Sequence, residues 1–454
     1  MQIDIQYIKL VLIHVGIGLM MYFISPLSRL FFFAMVLFFL IRIVMAPSSR
    51  KTFEVLKACA YISGVEVLLR MTDGVIFYES SKYLVILFVL FGIFYKGISS
   101  KAYPYFFYLI ALVPAIIVAS TNIGFDVNFR TNIAFVLSGP VALGVTALYC
   151  YDKKITLKQI IDIVLYMGLP IIAMTTYLFL YSPSLKDVLS GTQSNFAASG
   201  GFGPNQVATI LGLGMFAFTA RVFLKSPGLL LKVFNALIFS AIAYRAVITF
   251  SRGGVVGAII IIVAFLIVLY FRSNKTQRSN IITSFALFIA ALSITWTISS
   301  NQSEGLIDKR YANQDATGRE KADLSTGRVD LFVNELDGFI ENPFFGVGAS
   351  VMKEIRKETL GTGIVSHNEL SRLLSEHGLF GVLILLILII KPLMYRINNK
   401  KNFFFYAFLF FWFATINHSA MRIAAPAFIY GLSLLNITYE KHPIYRKQIK
   451  QQTL

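Results

Sequence analysis

Long apolar runs separated by short polar connections extend along almost the whole chain. Runs such as "VALGVTALYCY", "GVVGAIIIIVAFLIVLY" and "FGVLILLILII" reach about 20 residues with their flanks, which suits a bilayer core about 30 Å thick. The strict alternation of apolar and polar residues that is typical of a membrane β-barrel is absent from the sequence. The pattern predicts fourteen apolar helices, at approximately residues 5–24, 28–46, 55–70, 81–98, 103–120, 131–150, 158–181, 205–224, 229–249, 253–272, 280–299, 370–391, 402–417 and 423–439.

Every second polar connection is basic, from "RKTFEVLK" and "YKGISSK" to "KPLMYRINNKK" and the tail "KHPIYRKQIK". With an even number of spans these connections share one side with both termini, and their excess of Lys and Arg predicts that this side is cytoplasmic. The third segment is the weakest because it carries Glu66 and Arg70, so we predict about 12–14 spans. The first segment is expected to stay in the membrane rather than be cleaved as a signal peptide.

Three parts follow from this pattern. Residues 1–299 hold the first eleven helices, 300–369 form one large loop with short helices on the side opposite the basic connections, and 370–454 hold the last three helices and the basic tail. The loop 182–204 and the corners "TFSRGG" and "INHSAMR" are predicted on the same outer side as the large loop.

The composition supports an all-α polytopic membrane protein. Hydrophobic residues make up 56% and charged residues 14% of the 454 positions, whereas a soluble domain carries about 25% charged residues. The net charge of +18 lies in short loops, as the positive-inside rule predicts, so a nucleic-acid partner is not expected. The two cysteines, Cys59 and Cys150, predict neither a disulfide nor a metal cluster.

Two histidines flank the start of the twelfth predicted span in "SHNELSRLLSEHG", residues 366–378. Ser366 and Glu369 have the spacing of a capping box, which would start that helix. His367 falls on the helical stripe of two leucines, so its ring is expected to face neighbouring helices or a cavity, in a catalytic or a structural role. His377 precedes a glycine and is interpreted as a favourable charge near a helix end.

Arginines occur at two further places on the predicted outer side. Arg245 and Arg252 are seven residues apart in "AYRAVITFSRGG", on one face of the ninth span, where a buried arginine is a functional candidate. A structural ion pair, or a side chain of Arg252 that reaches the membrane surface, is the alternative. Arg328 lies in "STGRVDLF" within the large loop, where a solvated charge is the alternative.

Two more outer corners carry candidate polar residues. "HSAMR" places His418 and Arg422 one helical turn apart, in a binding site or in a membrane-interface belt. "FGPNQVA" begins a helix with Pro204, which places Asn205 in the first turn, where exposed N–H groups favour anions. Together, arginines and histidines from separate spans predict an anionic substrate, since arginine binds phosphate through two parallel hydrogen bonds and stays charged. Histidine would supply a general base.

The motifs that carry these residues resemble the signature of a known family. "STGRVDLFVNELDGFIENPFFGVGAS", followed by "SHNELSRLLSEHGLFG", is similar to the pattern of the O-antigen ligase and polymerase superfamily. "GFGPNQVA" and "SRGG" resemble two other recurrent motifs of that family, in the right order, so the resemblance covers roughly residues 200–385. Leu331-Phe332 replaces a tryptophan that is common after S/T-G-R, which leaves the register of that helix less certain.

The resemblance implies a bacterial inner-membrane glycosyltransferase that works at the periplasmic face. Such proteins transfer a glycan from undecaprenyl pyrophosphate to a hydroxyl of lipid A–core, of a growing polysaccharide or of a protein, with inversion at the anomeric carbon. The resemblance implies that His367 is the base and that Arg252 and Arg328 hold the pyrophosphate. Substrate-binding roles are implied for the remaining residues, Arg245, Asn205, Arg422, His418 and Asn368.

No cofactor and no metal is expected, since arginines replace a divalent ion in this scheme. The first outer loop, "SPLS", lacks the acidic pair that metal-using membrane glycosyltransferases have there, and "ELD" at 335–337 is interpreted as a polar helix face. A ligase is favoured, and a polymerase with the same donor is the alternative. A transporter or flippase for lipid-linked glycans is the alternative of another class, but it would place charges in both leaflets.

Overall fold

The computed structural model describes residues 4–124, 128–182, 191–321, 327–361, 363–419 and 421–439. The predicted basic tail at 441–450 and residues 183–190 of the outer loop lie outside the described residues. Helices dominate the described part of the chain, and its two short strands pair in parallel. The all-α polytopic class is therefore confirmed.

The elements follow the apolar runs closely, because a backbone surrounded by lipid must satisfy its own hydrogen bonds. The first part contains α1 (Ile5–Phe23), α2 (Leu27–Met45), α3 (Lys51–Met71), α4 (Ser80–Lys96), α5 (Tyr103–Ala111), α6 (Val113–Asn122), α7 (Phe129–Cys150), β1 (Lys154–Thr156) and α8 (Leu157–Tyr181). The second part contains α9 (Pro204–Leu224), α10 (Leu229–Ile248), α11 (Arg252–Arg272), α12 (Lys275–Gln302), α13 (Leu306–Tyr311), α14 (Arg328–Glu341) and α15 (Val351–Leu360). The last part contains α16 (Glu369–His377), α17 (Leu379–Asn398), α18 (Phe405–Ile416), α19 (Ala424–Ser433) and β2 (Asn436–Thr438).

Ten helical stretches among the described residues are long and apolar enough to cross a membrane. They are α1, α2, α5 together with α6, α7, α8, α9, α10, α11, α12 and α17. The remaining predicted segments correspond to α3, to α4, and to the short helices α18 and α19. The segment predicted at 423–439 is shorter as a helix than expected, because its end forms β2 beside β1.

Helix α3 lies in the interior of the bundle, packed against α8 and α4. Its charges, which made the third segment the weakest in the sequence, are paired there. Arg70 Nη2 lies 2.5 Å from Glu66 Oε1, and the other carboxylate oxygen of Glu66 accepts a hydrogen bond from the backbone N–H of Ala424 at 2.6 Å. A buried charge is tolerated when it is paired and hydrogen-bonded in this way.

The predicted span at 370–391 is wrong in its boundaries, because the helix breaks at Gly378. This glycine has φ +59°, and a Cβ there would come within 2.5 Å of the Pro343 carbonyl oxygen. Only glycine has no side chain to place in such a position. The short helix α16 therefore ends at His377, and the candidate membrane span is α17.

The turn at residues 343–349 packs against the junction of α16 and α17. The backbone N–H of Leu379, the first residue of α17, donates to the Pro343 carbonyl at 2.7 Å, and the rings of Phe345 and Phe380 are 5.9 Å apart. Phe344 and Phe345 nevertheless remain 67% and 56% exposed, beside the exposed Leu379. The turn thus continues the apolar surface of a membrane span, so both rings are expected to lie in the bilayer.

A label on Phe344→Cys in lipid vesicles tests this placement. We expect an environment-sensitive fluorophore there to be quenched by nitroxide lipids and to be protected from iodide in the water. The same label on Lys357→Cys, exposed on the polar surface of α15, is the control and should show the opposite pattern. Equal iodide quenching at both positions would place the turn in water and contradict the expectation.

Candidate functional site

Four helices begin around one group of polar side chains. Asn205, Arg252 and Arg328 lie in the first turns of α9, α11 and α14, and Asn368 is the N-cap of α16. Ser251, the N-cap of α11, donates from Oγ to Asn205 Oδ1 at 2.7 Å. Exposed N–H groups and a positive partial charge make helix starts favourable for anions. The fold thus gathers several such starts in one place.

Helices α9 and α11 approach closely because glycines and alanines line their contact. A Cβ on Gly254 would lie 2.7 Å from the Ala208 carbonyl carbon, and a Cβ on Gly253 would collide with the His418 ring. Small residues allow such close packing between membrane helices. The "SRGG" corner therefore places Arg252 directly beside the turn that carries His418.

Arg252 and Arg328 are each the first residue of a helix, which is the opposite of the usual charge preference. Acidic residues are favoured in that position, and cations are disfavoured by the helix dipole. The two guanidinium groups also interact, since burial and then the charge of Arg252 lower the pKa of Arg328. Arg252 Nη1 donates to Asn313 Oδ1 at 3.3 Å. A bound anion would offset both the unfavourable position of each cation at a helix start and the repulsion between the two guanidinium groups. This pair therefore favours an anionic ligand.

Arg310 joins the pair, although no motif or spacing in the sequence points to it. It belongs to α13, is 8% exposed, and donates from Nε to the Phe250 carbonyl at 3.0 Å. Burial lowers its pKa, and the charges of Arg252 and Arg328 lower it further. Its sequence context, "LIDKRY", mixes both charge signs as a solvated surface does, so no local pattern distinguished it.

His367 lies among these cations. Its Nδ1 atom is buried and has no hydrogen-bond partner among the described residues. Burial and the positive charges of Arg422 and Arg328 lower the pKa of His367 to about 3. The imidazole is therefore neutral near pH 7 and has a lone pair available to accept a proton.

The predicted local structure around His367 is wrong. The N-cap of α16 is Asn368, whose Oδ1 accepts from the backbone N–H groups of Leu370 and Ser371 at 2.8 and 3.3 Å. Ser366 and Glu369 form no capping box, because Glu369 is turned toward Arg372 in an ion pair within α16. His367 thus precedes the helix and shares no helical stripe. His377, expected near an outer helix end as a charge, is 1% exposed.

Arg422 and His418 complete the group from the turn between α18 and α19. Arg422 Nη2 donates to the carbonyls of Ser366 and Val365 at 2.7 and 3.2 Å, so it holds the segment that precedes His367. Its Nε–H is buried without a partner among the described residues. Burial lowers the pKa of His418 to about 4, and its Nε2 lies 3.3 Å from Thr209 Oγ1 on α9. Asn368 donates to Asn417 in the same turn.

Arg245 is the one predicted site residue that the structure separates from this group. Helix α10 ends at Ile248, and Phe250 has φ +58°, so Arg245 and Arg252 do not share a helical face. Arg245 is 1% exposed and donates to the carbonyls of Ala198 and Ser182 at 2.9 and 3.4 Å. Its contacts hold the backbone that precedes α9.

The interpretation of Glu335 as part of a polar helix face is wrong, because its side chain is fully buried. One carboxylate oxygen lies 3.3 Å from Arg356 Nη1, and the other accepts from Ser366 Oγ at 3.0 Å and from Ser371 Oγ. Burial raises the pKa of Glu335, whereas the Ser371 hydroxyl and the Arg356 guanidinium oppose that shift. This carboxylate joins α14, α15 and α16 directly beside His367.

Removal of this carboxylate is expected to destabilise the protein. Glu335→Ala leaves the Arg356 guanidinium buried without its partner, at a cost of roughly 3–5 kcal/mol. We expect a lower melting temperature in detergent, whereas Asp337→Ala, on the exposed face of the same helix, should leave it unchanged. Equal melting temperatures for the two variants would show that the network contributes little to the fold.

The assembled site is positively charged. Among the described residues, no carboxylate forms an ion pair with Arg310, Arg328 or Arg422. Within the same residues, no group of three or more His, Cys, Asp or Glu side chains could hold a metal ion. Guanidinium groups, helix starts and a neutral imidazole together can bind an oxyanion and accept a proton.

A comparison with protein families identifies this part of the chain. Residues 236–386, about one third of the sequence, match the family described as O-antigen ligase. The match includes Arg252, Arg328 and His367, whereas Asn205 and Arg422 lie outside it. Comparison with curated proteins gives no match. The resemblance seen in the motifs is confirmed over residues 236–386, where the match supports the O-antigen ligase and polymerase superfamily.

Proposed function

We propose that this protein transfers a glycan from undecaprenyl pyrophosphate to an acceptor hydroxyl, such as one on lipid A–core, at the periplasmic face of the bacterial inner membrane. The observation that carries the proposal is the pair Arg252 and Arg328, two cations at helix starts beside the neutral His367. A diphosphate offers the bidentate oxygens that guanidinium groups bind best.

The reaction is a single displacement at the anomeric carbon. The acceptor oxygen forms the new bond to that carbon while the bond to the diphosphate oxygen breaks, which inverts the configuration. The hydroxyl proton passes to His367, and the electron pair of the broken bond leaves with the diphosphate. Arg252 and Arg328 stabilise the negative charge that develops there, so no divalent metal is required in this scheme.

Binding of the donor changes the pKa of His367, the proposed base. A pKa of about 3 makes His367 a weak base in the empty site, and the causes are burial and the neighbouring arginines. A diphosphate bound beside Arg328 and Arg422 offsets their charges and so raises the pKa of His367, while burial, the larger cause, still lowers it. A base becomes more effective as its pKa approaches the working pH, so donor binding makes His367 a stronger base.

The other predicted residues have supporting roles in this proposal. Asn205 shapes the donor site at the start of α9, and Asn368 and His418 bind substrate beside it. Arg422 contributes charge and positions the segment before His367. Arg245 acts indirectly, since it holds the backbone that precedes α9.

A polymerase uses the same donor and differs only in its acceptor, so product analysis distinguishes the two enzymes. We expect purified protein in nanodiscs to join an undecaprenyl-pyrophosphate glycan to lipid A–core in one step, and to do so in EDTA. A ladder of glycan products would instead identify a polymerase, and strict dependence on Mg²⁺ would contradict the metal-free scheme. Transport of the intact donor without any glycosidic product would contradict the proposal as a whole.

A further inference from the structure

A large cavity lies at the opposite ends of the helices that form the site. Helices α9 and α11 both begin at the arginine cluster, and each has 21 residues. At 1.5 Å per residue they extend about 30 Å, the thickness of a bilayer core. The cavity, about 510 Å³ in volume, is where both helices end and where α10 and α12 begin.

The walls of the cavity combine apolar and cationic groups. Phe223, Leu269, Ile281 and Phe403 line its apolar part. The polar part contains Lys232 from α10, Arg272 from α11, and Gln277 and Asn280 from α12, and no acidic residue of the described part of the chain lines it. The charge and the apolar walls together match an amphiphilic anion.

The donors in the cavity are only partly used within the protein. Lys232 and Asn280 make no side-chain hydrogen bond or ion pair with the described residues. Arg272 donates from Nη1 to the Lys401 carbonyl at 3.4 Å and from Nη2 to the Lys400 carbonyl, and its remaining N–H groups make no other hydrogen bond with the described residues. Ser226 and Ser284, by contrast, are satisfied by backbone carbonyls.

The surface around the cavity faces lipid. Leu229 and Leu230 of α10 are 66% and 57% exposed, and Ile282 of α12 is 61% exposed. These helices are candidate membrane spans, so their exposed apolar residues contact acyl chains. An occupant can therefore enter from the bilayer rather than only from water.

We propose that this cavity binds the phosphate headgroup of an anionic bilayer phospholipid, in the leaflet opposite the arginine site. The phosphate accepts from Lys232, Arg272 and Asn280, and the glycerol and upper acyl chains lie on the apolar wall. Basic pockets between membrane helices are a known means of recognising anionic headgroups. The proposal does not depend on the glycosyl-transfer reaction.

Native mass spectrometry of the full chain tests the proposal. The detergent-purified protein is titrated with phosphatidylglycerol or with phosphatidylcholine of the same acyl chains, with inorganic phosphate as competitor. We expect phosphatidylglycerol to bind at least about tenfold more tightly, a difference of about 1.4 kcal/mol. Lys232→Ala should remove this preference, whereas Lys275→Ala, an exposed lysine on the same side that does not line the cavity, should retain it.

Leu269→Trp provides a second variant that fills the cavity and leaves every charge in place. It should also remove the preference for phosphatidylglycerol. Equal binding of the two lipids, equal effects of Lys232→Ala and Lys275→Ala, or complete displacement of the lipid by equimolar inorganic phosphate would each overturn the proposal.

Discussion

Arg328→Lys is expected to reduce kcat/KM for glycan transfer by roughly 100-fold, the loss typical when one group that stabilises an oxyanion is removed. Lysine keeps the charge but cannot form two parallel hydrogen bonds to a phosphate. The loss should appear in kcat as well as KM, because the diphosphate gains negative charge in the transition state. Initial rates with the purified protein and a lipid-linked glycan measure it.

The chain contains its own control for this substitution. A second Thr-Gly-Arg sequence ends at Arg319, where the glycine also has a positive φ but the arginine side chain is exposed. Arg319→Lys should leave kcat/KM unchanged. If the two variants behave alike, Arg328 has no special role at the site, and the assignment of the diphosphate to it is wrong.

His367→Gln is expected to lower kcat by about 100- to 10,000-fold, the range for removal of a general base. Glutamine keeps a polar side chain of similar size but accepts no proton at neutral pH. The variant should retain donor binding, since the arginines are intact. Single-turnover rates and donor affinity, measured separately, distinguish loss of the base from loss of the site.

The pH dependence gives a second measure of His367. Its pKa is depressed to about 3 in the free protein, below the ordinary value of 6.5, so the ring stays neutral throughout pH 5–8. The profile of kcat/KM, which reports the free enzyme, should therefore lack an inflection from His367 in this window. The inflection from His367 in the profile of kcat should lie at a higher pH than its inflection in kcat/KM, because the bound diphosphate raises the pKa of His367. An inflection near pH 6.5 in kcat/KM that disappears in His367→Gln would contradict this.

Much of the fold follows from hydrophobicity along the chain, since every predicted apolar segment contains a helix. The errors occur where a contact distant in sequence sets the geometry. Gly378 breaks its helix because the turn at Pro343 lies against it, and no local pattern contains that contact. The last segment shortens because β2 pairs with β1, which is far earlier in the chain.

Most cations of the site could be identified from the sequence, but their arrangement in space could not. The motifs identified Arg252, Arg328 and His367, which the structure brings together. Arg310 was missed because its neighbours in sequence look solvated, and Arg245 was included because helical spacing was assumed to continue through Phe250. The role of Glu335 depends on three helices meeting, which sequence spacing does not reveal.

The cations of the site come from four separate elements, α11, α13, α14 and the turn before α19, so they would form a fixed clamp around the proposed diphosphate rather than a flexible arm. Such a clamp binds the spent carrier as well as the proposed donor, since both carry a diphosphate. The spent carrier gains one more negative charge when the sugar leaves. It should therefore be bound more tightly than the donor. Release of the spent carrier, rather than bond formation, would then be the rate-limiting step of repeated turnover.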